Sequence, residues 1–355
     1  MKIKKLQLTN FRNYSKKEIE FNSDSLLIVG NNGVGKTNIL EAIYYLSTGK
    51  SFKAKFEREL IMHGKQFTKI EANISNSDDE TLLDIVIAKR DDFSNFVNKK
   101  ARVNRTPKSL QNFSGNLTSV LFLPSDIELF TTNPNLRRKY LDYVISQTSI
   151  PYKKALSEFQ KATRQINRLY DQIKEFGKGF EQLEFWESLL IKHGTFIQEH
   201  REEYINFVNE KIKIHVDELN SEKDITIKIN YEKKAITPQR VSDYREKCIQ
   251  AKSLLIGPQR DDFDVFLNEF NLNYFGSRGQ QRSALLALKL CEIDFLTNKR
   301  KQRPLLLLDD IFSELDEDHK NKILQIINLQ QTIITSAEPL KNLSEITDKM
   351  DSILL

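Results

Sequence analysis

The feature that most constrains the fold is a glycine-rich turn between two apolar runs of different period. The run SLLIV (25–29) is typical of a buried strand, and NILEAIYYLS (38–47) has apolar residues at helical spacing. The turn between them, GNNGVGKT (30–37), matches the pattern G-x-x-x-x-G-K-[ST]. A strand, a glycine turn and a helix in this order predict the beginning of an α/β fold.

The turn has the composition of a phosphate-binding loop. Its glycines let successive backbone N–H groups curl around phosphate oxygens, and the helix N-terminus adds a partial positive charge. We expect Lys36 to reach the β and γ phosphates of a nucleotide and Thr37 to hold Mg²⁺. The candidate nucleotide contacts are Gly30, Asn31, Asn32, Gly33, Val34, Gly35, Lys36, Thr37 and Asn38. The alternative is an incidental glycine-rich turn.

A later apolar run supplies the carboxylates that a metal-nucleotide site needs. PLLLLDD (304–310) is typical of a buried parallel strand that ends at Asp309, and open α/β sheets bind ligands at the carboxyl ends of their strands. We predict that Asp309 is the Mg²⁺ partner and that Asp310 is the general base for the attacking water. The alternative is that the two carboxylates only cap a turn.

The loop FGSRGQQRS (275–283) stands directly before a long apolar helix. Ser277, Gly279 and Gln281 fit S-x-G-x-Q, and the segment resembles the signature of ABC-type ATPases. A helix start of this kind presents a hydroxyl and N–H groups to an anion, although serine and glycine are also favoured in an ordinary N-cap. The order of glycine turn, loop, acidic strand and then Ser313–Asp316 favours the functional interpretation.

Composition predicts a folded protein outside the membrane. Hydrophobic residues make up 39% and charged residues 29% of the chain, which is typical of globular proteins. No apolar run approaches the roughly 20 residues of a membrane span, and the beginning lacks the apolar core of a signal peptide. We therefore expect a soluble cytoplasmic protein. Cys248 and Cys291 fit neither a disulfide framework nor a metal site and are predicted to be buried free thiols.

Positive charge is concentrated in two segments. The formal net charge is +5, and residues 93–125 contain five basic and no acidic residues. A second basic cluster follows the glycine turn. Stripes of this kind suit phosphate backbones, although a solvated face is the alternative. The candidate DNA contacts are Lys53, Lys55, Arg58, Lys99, Lys100, Arg102, Arg105 and Lys108.

Periodicity divides the chain into an α/β part and a helical part. TKIEANIS (68–75) and TLLDIVIAK (81–89) alternate and predict a hairpin, whereas residues 135–216 predict three helices, the last two separated by Gly177 and Gly179. Strand signals return with ITIKIN (225–230), DVFLNEF, PLLLLDD and QTIITS, and their alternation with helices predicts a parallel sheet. We predict a discontinuous head of residues 1–130 and 217–355, with residues 131–216 inserted as a helical arm.

The chain resembles the RecF family of SMC-like, ABC-type DNA-repair ATPases over nearly its full length. The segments that carry the resemblance are LQLTNFRNY (6–14), GNNGVGKTNILEAIYYL (30–46), GKSFKAKFERELIMHG (49–64), LFLPSDIELF (121–130), NLRRKYLDYVISQ (135–147), GPQRDDFDVFL (257–267), FGSRGQQRSALLALKL (275–290) and LLLLDDIFSELD (305–316). The resemblance implies an α/β fold, an ABC-type P-loop ATPase head with mixed sheets and flanking helices, and an inserted α-helical arm.

The same resemblance implies a slow, Mg²⁺-dependent ATPase that works as an ATP-dependent homodimer. Two heads would sandwich two nucleotides, so that Ser277 and Gly279 of one chain contact the γ-phosphate held by the other. Gln280 is a further candidate nucleotide contact. Asp316 would lie at this interface. Arg12 is a candidate contact for the base or the phosphates. The implied catalytic residues are Lys36, Asp309, Asp310 and Ser277.

The implied biological role is recombinational DNA repair and replication-fork maintenance, with the SOS response to DNA damage. Family members are expected to bind duplex DNA near single-strand gaps and junctions, to cooperate with RecR and RecO, and to help load RecA. The expected location is the cytoplasm, at the nucleoid. No base-reading element is visible in the sequence, so we expect little sequence specificity.

Some positions depart from the family pattern. Arg278 stands where glutamine is expected in the signature, and Gln259 stands where histidine is expected in GPQRDD. No glutamine that would sense the γ-phosphate is found near LFLPSDIEL. The switch histidine of ABC transporters is replaced in ITSAE by Thr335 or Ser336, so the residue that positions the water is unassigned.

Two other functions compete with the repair ATPase. One is the energising subunit of a membrane transporter, against which stand the 240 residues between Thr37 and Ser277 and the helical arm that fills part of that gap. The other is a DNA-binding structural protein that binds ATP without turnover. Membrane co-purification without DNA affinity would favour the first, and absence of hydrolysis would favour the second.

Overall fold

The computed structural model describes residues 1–76, 79–91, 95–131, 134–219, 225–313, 317–338 and 350–355. The chain forms two compact units. Unit 1 comprises Met1–Asp126 and Glu292–Leu355, and unit 2 comprises Ile127–Cys291. These limits differ from the limits of the head and arm predicted from the sequence, and that functional division stays a prediction.

The first part of unit 1 supplies the strands of an antiparallel sheet. Along the chain, these strands are interrupted by a strand of a second, parallel sheet and by a helix. In chain order its elements are β1 (Lys2–Phe11), β2 (Tyr14–Glu20), β3 (Ser25–Val29), α1 (Lys36–Thr48), β4 (Phe67–Asn76), β5 (Asp79–Lys89), β6 (Val97–Val103), β7 (Thr106–Lys108), α2 (Leu110–Phe113) and β8 (Ser119–Phe122). Six of these strands form a sheet in the order β2-β1-β4-β5-β6-β7. The predicted hairpin is confirmed as β4 and β5, which pair antiparallel over their whole length.

Unit 2 is mainly helical. Its elements are α3 (Glu128–Thr131), α4 (Pro134–Ser146), α5 (Ile150–Phe176), α6 (Phe180–Leu219), β9 (Ile227–Glu232), α7 (Pro238–Ala251), β10 (Asp262–Leu267), β11 (Phe270–Asn271), α8 (Leu272–Phe275) and α9 (Arg278–Arg300), the last of which continues into unit 1. The three predicted long helices are α4, α5 and α6. Gly177 and Gly179 join α5 to α6 with φ of 64° and 111°, values that favour glycine.

The predicted parallel arrangement is wrong for the two strands of unit 2. β9 and β10 pair antiparallel, with Asp262 opposite Glu232, and β11 completes a separate three-stranded sheet. After β9 the chain forms α7 and then a loop that ends at Asp261, so it enters β10 at the same end at which it left β9. Although a helix connects β9 to β10, the two strands do not form the parallel pair that a helical connection usually produces.

The chain completes unit 1 with a parallel sheet. The remaining elements are β12 (Leu305–Asp309), α10 (Glu317–Ile327), β13 (Thr332–Ser336) and β14 (Asp351–Leu354), and the strand order is β14-β3-β13-β12-β8. Every residue of β3, β12 and β13 is buried. Strands covered on both faces need no polar alternation, which explains the uninterrupted apolar runs in the sequence. The parallel sheet predicted for these runs is confirmed.

The hydrophobic core of unit 1 fixes the position of α1. Buried side chains from the antiparallel sheet, from the parallel sheet and from α1 belong to one cluster, with Ile85, Leu307 and Ile43 as examples. Because α1 is buried on most of its surface, its apolar residues are not confined to one stripe. The packing holds the first turn of α1 at the carboxyl end of β3.

Two expectations from composition can be compared with the structure. Cys248 and Cys291 are both free and buried, as predicted. Within the described residues, no helix combines the length and the apolar character that crossing a membrane requires.

Candidate nucleotide site and basic surface

The glycine turn leaves the N-terminus of α1 open. The helix begins at Lys36, immediately after Gly35, and no side chain caps it. The first N–H groups of a helix have no partner within the helix, so an uncapped start is suited to an anion. At Gly35, φ is 116°, and an added Cβ would lie 2.7 Å from Asn13 Nδ2 and from Tyr14 Oη. Only glycine fits at this position.

Lys36 is folded back over the loop. Its Nζ donates to the carbonyl oxygens of Gly30 and Asn31 at 2.6 and 3.1 Å, and the residue is only 6% exposed. It forms no salt bridge with any carboxylate in the described part of the chain. A buried cation that is balanced only by carbonyl dipoles favours the arrival of an anion.

The structure brings together the two predicted metal-binding residues. Thr37 Oγ1 donates to both carboxylate oxygens of Asp309, at 2.9 and 3.0 Å, although 272 positions separate the two residues. Thr335 Oγ1 donates to Asp309 Oδ1 at 2.7 Å. A hydroxyl and a carboxylate side by side, next to a phosphate-binding turn, are the oxygen ligands that Mg²⁺ uses with nucleotides. The donor set therefore fits this metal.

Asp310 adopts a different backbone conformation from its neighbour. Its φ is 50°, in the left-handed region, and its N–H donates to the carbonyl oxygen of Thr335 at 3.1 Å and to Thr335 Oγ1 at 3.2 Å. Thr335 therefore contacts both acidic residues. The sequence identified Thr335 only as a replacement for an absent histidine. The threonine that follows the apolar pair Ile333 and Ile334, at the carboxyl end of this buried strand, is the signal that could have found this role.

Arg12 is held by a buried carboxylate. Its Nε and Nη2 donate to Glu41 at 2.8 and 2.6 Å, and its Nη1 donates to the carbonyl oxygen of Glu59 at 2.9 Å. The Glu41 side chain is fully buried and also accepts a hydrogen bond from Ser51. Each nitrogen of the guanidinium is thus engaged within the chain, and the predicted contact of Arg12 with a nucleotide stays a prediction.

Asn13, which follows Arg12 in the chain, contacts the glycine turn directly. Asn13 Nδ2 donates to the carbonyl oxygen of Val34 at 2.8 Å, and Asn13 Oδ1 accepts from Asn38 at 2.9 Å. Tyr14 follows, with a buried hydroxyl that has no hydrogen-bond partner among the described residues, and burial raises its pKa. Asn13 was missed by the sequence analysis, and its signal was its place in the motif NFRNY.

An open cavity of about 880 Å³ lies beside these residues in unit 1. Arg12, Asn13 and Asn38 line it, together with two of the predicted DNA contacts, Lys53 and Arg58. The cationic lining therefore joins the basic cluster that follows the glycine turn to the surroundings of that turn.

Apart from Arg58, the predicted DNA contacts fall into two groups. Lys99 and Arg102 form salt bridges at 2.8 Å with Glu57 and Asp84. Hydrogen bonding to Asp84 raises the pKa of Arg102. The second group is exposed and has no salt bridge to a carboxylate that the structure describes: Lys53, Lys55, Lys100, Arg105 and Lys108. Three of these five lie on the edge hairpin formed by β6 and β7.

The signature-like loop belongs to unit 2, and it is exposed from Ser277 to Gln280. Ser277 Oγ accepts from the N–H of Gln280 at 3.3 Å, and the Ser277 N–H donates to Gln280 Oε1 at 2.9 Å. This reciprocal pair is a capping box. The N-cap role is therefore observed, and contact with a nucleotide by Ser277, Gly279 or Gln280 stays a prediction. Glu314, Leu315 and Asp316 lie outside the described residues.

Aromatic side chains surround the start of this loop. Phe270, Tyr274 and Phe275 are 62%, 79% and 71% exposed, and their rings contact one another at centroid distances of 6.1 and 6.4 Å. Gln281, by contrast, is buried and donates to the carbonyl oxygen of Leu272 at 3.0 Å. One side of the loop is thus anchored, and the other presents an apolar patch to solvent.

The parallel sheet, the glycine turn before α1 and the acidic end of β12 define an ABC-type P-loop ATPase head with additional helices. The chain belongs to the RecF family: residues 2–353 match the family described as "RecF/RecN/SMC N terminal domain". It is 35% identical to the DNA replication and repair protein RecF of Clostridioides difficile (strain 630), over 95% of this chain and 92% of that protein.

Solved structures lead to the same family. The structure entitled "recombination mediator protein RecF-ATPrS in RecFOR pathway" is 29% identical, with a TM-score of 0.89 over 100% of this chain and 96% of that chain. The RecF-ATP structure is 30% identical, with a TM-score of 0.87 over 95% and 92% of the two chains. The fold predicted from the resemblance is therefore confirmed.

Proposed function

We propose that this chain is an ATP-dependent DNA-binding protein of recombinational repair and replication-fork maintenance, and that ATP drives two copies together on duplex DNA near single-strand gaps. The observation that carries the proposal is the contact between Thr37 and Asp309 beside the uncapped start of α1. Family membership and the titles of the RecF-ATP structures support ATP as the nucleotide.

The glycine turn and the start of α1 bind the phosphates and the metal in this proposal. Lys36 exchanges the carbonyl oxygens of Gly30 and Asn31 for phosphate oxygens, which leaves the same donor with stronger, charge-assisted partners. The N–H groups at the start of α1 bind further phosphate oxygens. Thr37 and Asp309 hold Mg²⁺, which when bound neutralises charge that develops on the phosphates.

Turnover requires a base for the attacking water. Asp310 is this base in our proposal, because it directly follows the proposed metal carboxylate and its left-handed backbone departs from the strand conformation. Thr335 fixes both acidic residues through its hydroxyl and its carbonyl oxygen. Because the proposed base is an aspartate and Thr335 or Ser336 stands where ABC transporters have a histidine, we expect slow hydrolysis that resets the dimer.

The second half of the active site is supplied by another copy of the chain. Ser277, Gly279 and Gln280 are exposed, so they are available to the γ-phosphate held by a partner subunit. In this proposal dimerisation is ATP-dependent, and the dimer acts at the nucleoid with RecR and RecO to help load RecA.

Sedimentation with ATP, with ADP and without nucleotide tests the dimer. We expect the wild type to be dimeric only with ATP and Ser277→Arg to stay monomeric, because the arginine occupies the space and the hydrogen-bonding position of the partner's phosphate. A wild type that stays monomeric with ATP, or a Ser277→Arg variant that dimerises equally well, contradicts the proposal.

Ser149→Arg is the matched control for this substitution. Ser149 caps α5 by accepting from the N–H of Tyr152 at 3.2 Å, so the variant loses an equivalent cap and gains the same side chain elsewhere. Loss of a cap costs about 1 kcal/mol at either helix. Dimerisation of Ser149→Arg with ATP separates the effect of the signature-like loop from that of helix stability.

For DNA, we propose that the exposed β6–β7 hairpin contacts the phosphate backbone. The triple variant Lys100→Gln, Arg105→Gln, Lys108→Gln should lower the salt-dependence slope of binding by about 2.7, at about 0.9 per lost contact. Lys16→Gln is the control, since Lys16 is exposed on β2 at the opposite edge of the same sheet. An unchanged slope in the triple variant would remove this hairpin from the DNA interface.

A further inference from the structure

A second cavity, of about 360 Å³, lies entirely within unit 2. It is open to solvent and is bordered by α4, α5 and α6 and by the turn around Pro258. Four cationic side chains line it, and Asp142 is the only acidic one among its lining residues. The cations are Arg138, Lys139, Arg164 and Arg201.

Two carboxylates share hydrogen bonds with Arg201, and one of them, Asp142, lines the cavity. Asp142 accepts from Arg201 Nη2 at 2.8 Å and from Tyr152 Oη at 2.6 Å. Asp261, which is fully buried, accepts from Arg201 Nη1 at 3.3 Å and from Tyr231 Oη at 2.5 Å. Burial raises the pKa of Tyr231, as does the charge of Asp261, so this hydroxyl remains a donor. Arg201 thus serves the two carboxylates.

The three other cations of the lining form no salt bridge with a carboxylate that the structure describes. Arg138 donates only to neutral acceptors, the carbonyl oxygen of Asp261 at 2.7 Å and Asn135 Oδ1 at 2.5 Å. Burial lowers the pKa of Arg138, as does the nearby charge of Arg201, and the charges of Asp262, Asp261 and Asp142 offset this only in part. Lys139 and Arg164 are exposed and form no salt bridge with a carboxylate in the described ranges.

The turn at Pro258 makes this arrangement rigid. Gly257 has φ of 101°, and Arg201 Nη1 donates to the carbonyl oxygen of Pro258 at 2.7 Å. Gln259, the residue at which the sequence departs from the family pattern, lines the cavity and donates to the carbonyl oxygen of Ile256 at 2.7 Å. Its Oε1 is buried without a partner among the described residues. The turn GPQR therefore builds one wall of the cavity.

We propose that this cavity binds a phosphate group, with Arg138 as the fixed donor and Lys139 and Arg164 closing on it from the rim. Guanidinium groups match phosphate oxygens in pairs, and the cavity is large enough for one phosphate and its first waters. The phosphate belongs either to a DNA backbone or to a small phosphate compound. The inference does not rest on the proposed nucleotide site, because every lining residue belongs to unit 2.

The test uses the double variant Lys139→Gln, Arg164→Gln in the full chain, with pyrophosphate as the small probe. A Lys36→Ala background removes binding at the glycine turn, and saturation with ADP serves the same purpose if that background does not fold. Arg168→Gln is the matched control, since Arg168 is exposed one turn further along α5 and does not line the cavity.

We expect the double variant to weaken pyrophosphate binding at least tenfold relative to Arg168→Gln, as the loss of a charge-assisted contact requires. If DNA supplies the phosphate, the salt-dependence slope for duplex binding falls instead by about 1.8, for two contacts at about 0.9 each. Either result supports the site and identifies the source of the phosphate. If the double variant matches Arg168→Gln in both measurements, the proposal is wrong.

Discussion

The glycine turn of unit 1 and the signature-like loop of unit 2 differ in what holds them in place. Around the turn, Thr37 contacts Asp309 across 272 positions, and Asn13 braces Val34 from another strand loop. In the signature-like loop, the hydrogen bonds of Ser277 reach to Gln280 and Gln281, three and four residues away. The turn is therefore fixed by the packing of the whole unit, whereas the loop is fixed locally.

In the proposed dimer, one half of the active site is the glycine turn, which is already fixed, and the other half is the exposed loop of a partner subunit. Tertiary contacts fix the geometry of the turn before a ligand arrives, which is the usual condition for precise binding. The exposed loop and its three exposed aromatic residues have hydrophobic surface still to bury. The following substitutions separate the contributions of the two halves.

Lys36→Ala should have the largest effect, because it removes a buried cation of the glycine turn and leaves the carbonyl oxygens of Gly30 and Asn31 without this donor. Loss of charged hydrogen bonds worth about 3 kcal/mol or more predicts ATP binding at least a hundredfold weaker, with no measurable turnover. Calorimetric titration and a phosphate-release assay measure both. Lys65→Ala, at an exposed lysine of the same unit, is the control. Near-normal ATP affinity in Lys36→Ala would show that the turn is not the nucleotide site.

Asp310→Asn should separate binding from turnover. Asparagine tolerates the left-handed backbone observed at this residue, so the fold is expected to be retained. Without a base, hydrolysis should fall by about 10²–10⁴-fold while ATP binding and ATP-dependent dimerisation persist. A phosphate-release assay combined with sedimentation tests this. Turnover at the wild-type rate would exclude Asp310 as the base and direct attention to Thr335.

Gln280→Ala should have the smallest effect, and it tests whether the signature-like loop is held by its capping box. The variant removes the acceptor for the Ser277 N–H and half of the capping box, which predicts a loss of about 0.5–1 kcal/mol in the free energy of unfolding. Chemical denaturation measures this loss. A much larger loss of ATP-dependent dimerisation than of stability would mean that Gln280 contacts the nucleotide as well as its own helix.

The elements that the sequence predicted correctly are those with a local signal. The apolar run LLLLDD identified β12 because a strand buried on both faces needs no polar alternation, and it correctly placed Asp309 at the carboxyl end. The pairing of Thr37 with Asp309 followed, because the carboxyl ends of parallel strands in one sheet share an edge. Gly177 and Gly179 likewise marked the turn between α5 and α6.

Features that depend on distant partners were not predictable. The basic run at residues 93–125 contains Lys100, which is exposed, and Arg102, which forms a salt bridge with the buried Asp84 on the neighbouring strand. Only the strand register distinguishes them, because Arg102 lies directly opposite Asp84. The salt bridge between Arg12 and Glu41 and the cavity of unit 2 also join separate segments, so no single stretch of sequence announces them.

The left-handed backbone at Asp310 limits which residues evolution can place there. Non-glycine residues pay roughly 1–2 kcal/mol in this conformation, and aspartate, asparagine and glycine pay least. Of these three, only aspartate has a carboxylate. If all twenty amino acids are tried at this position, selection for correct folding should enrich aspartate, asparagine and glycine. A further selection for turnover should retain only aspartate. Backbone geometry would then restrict the chemistry of this position before catalysis is considered.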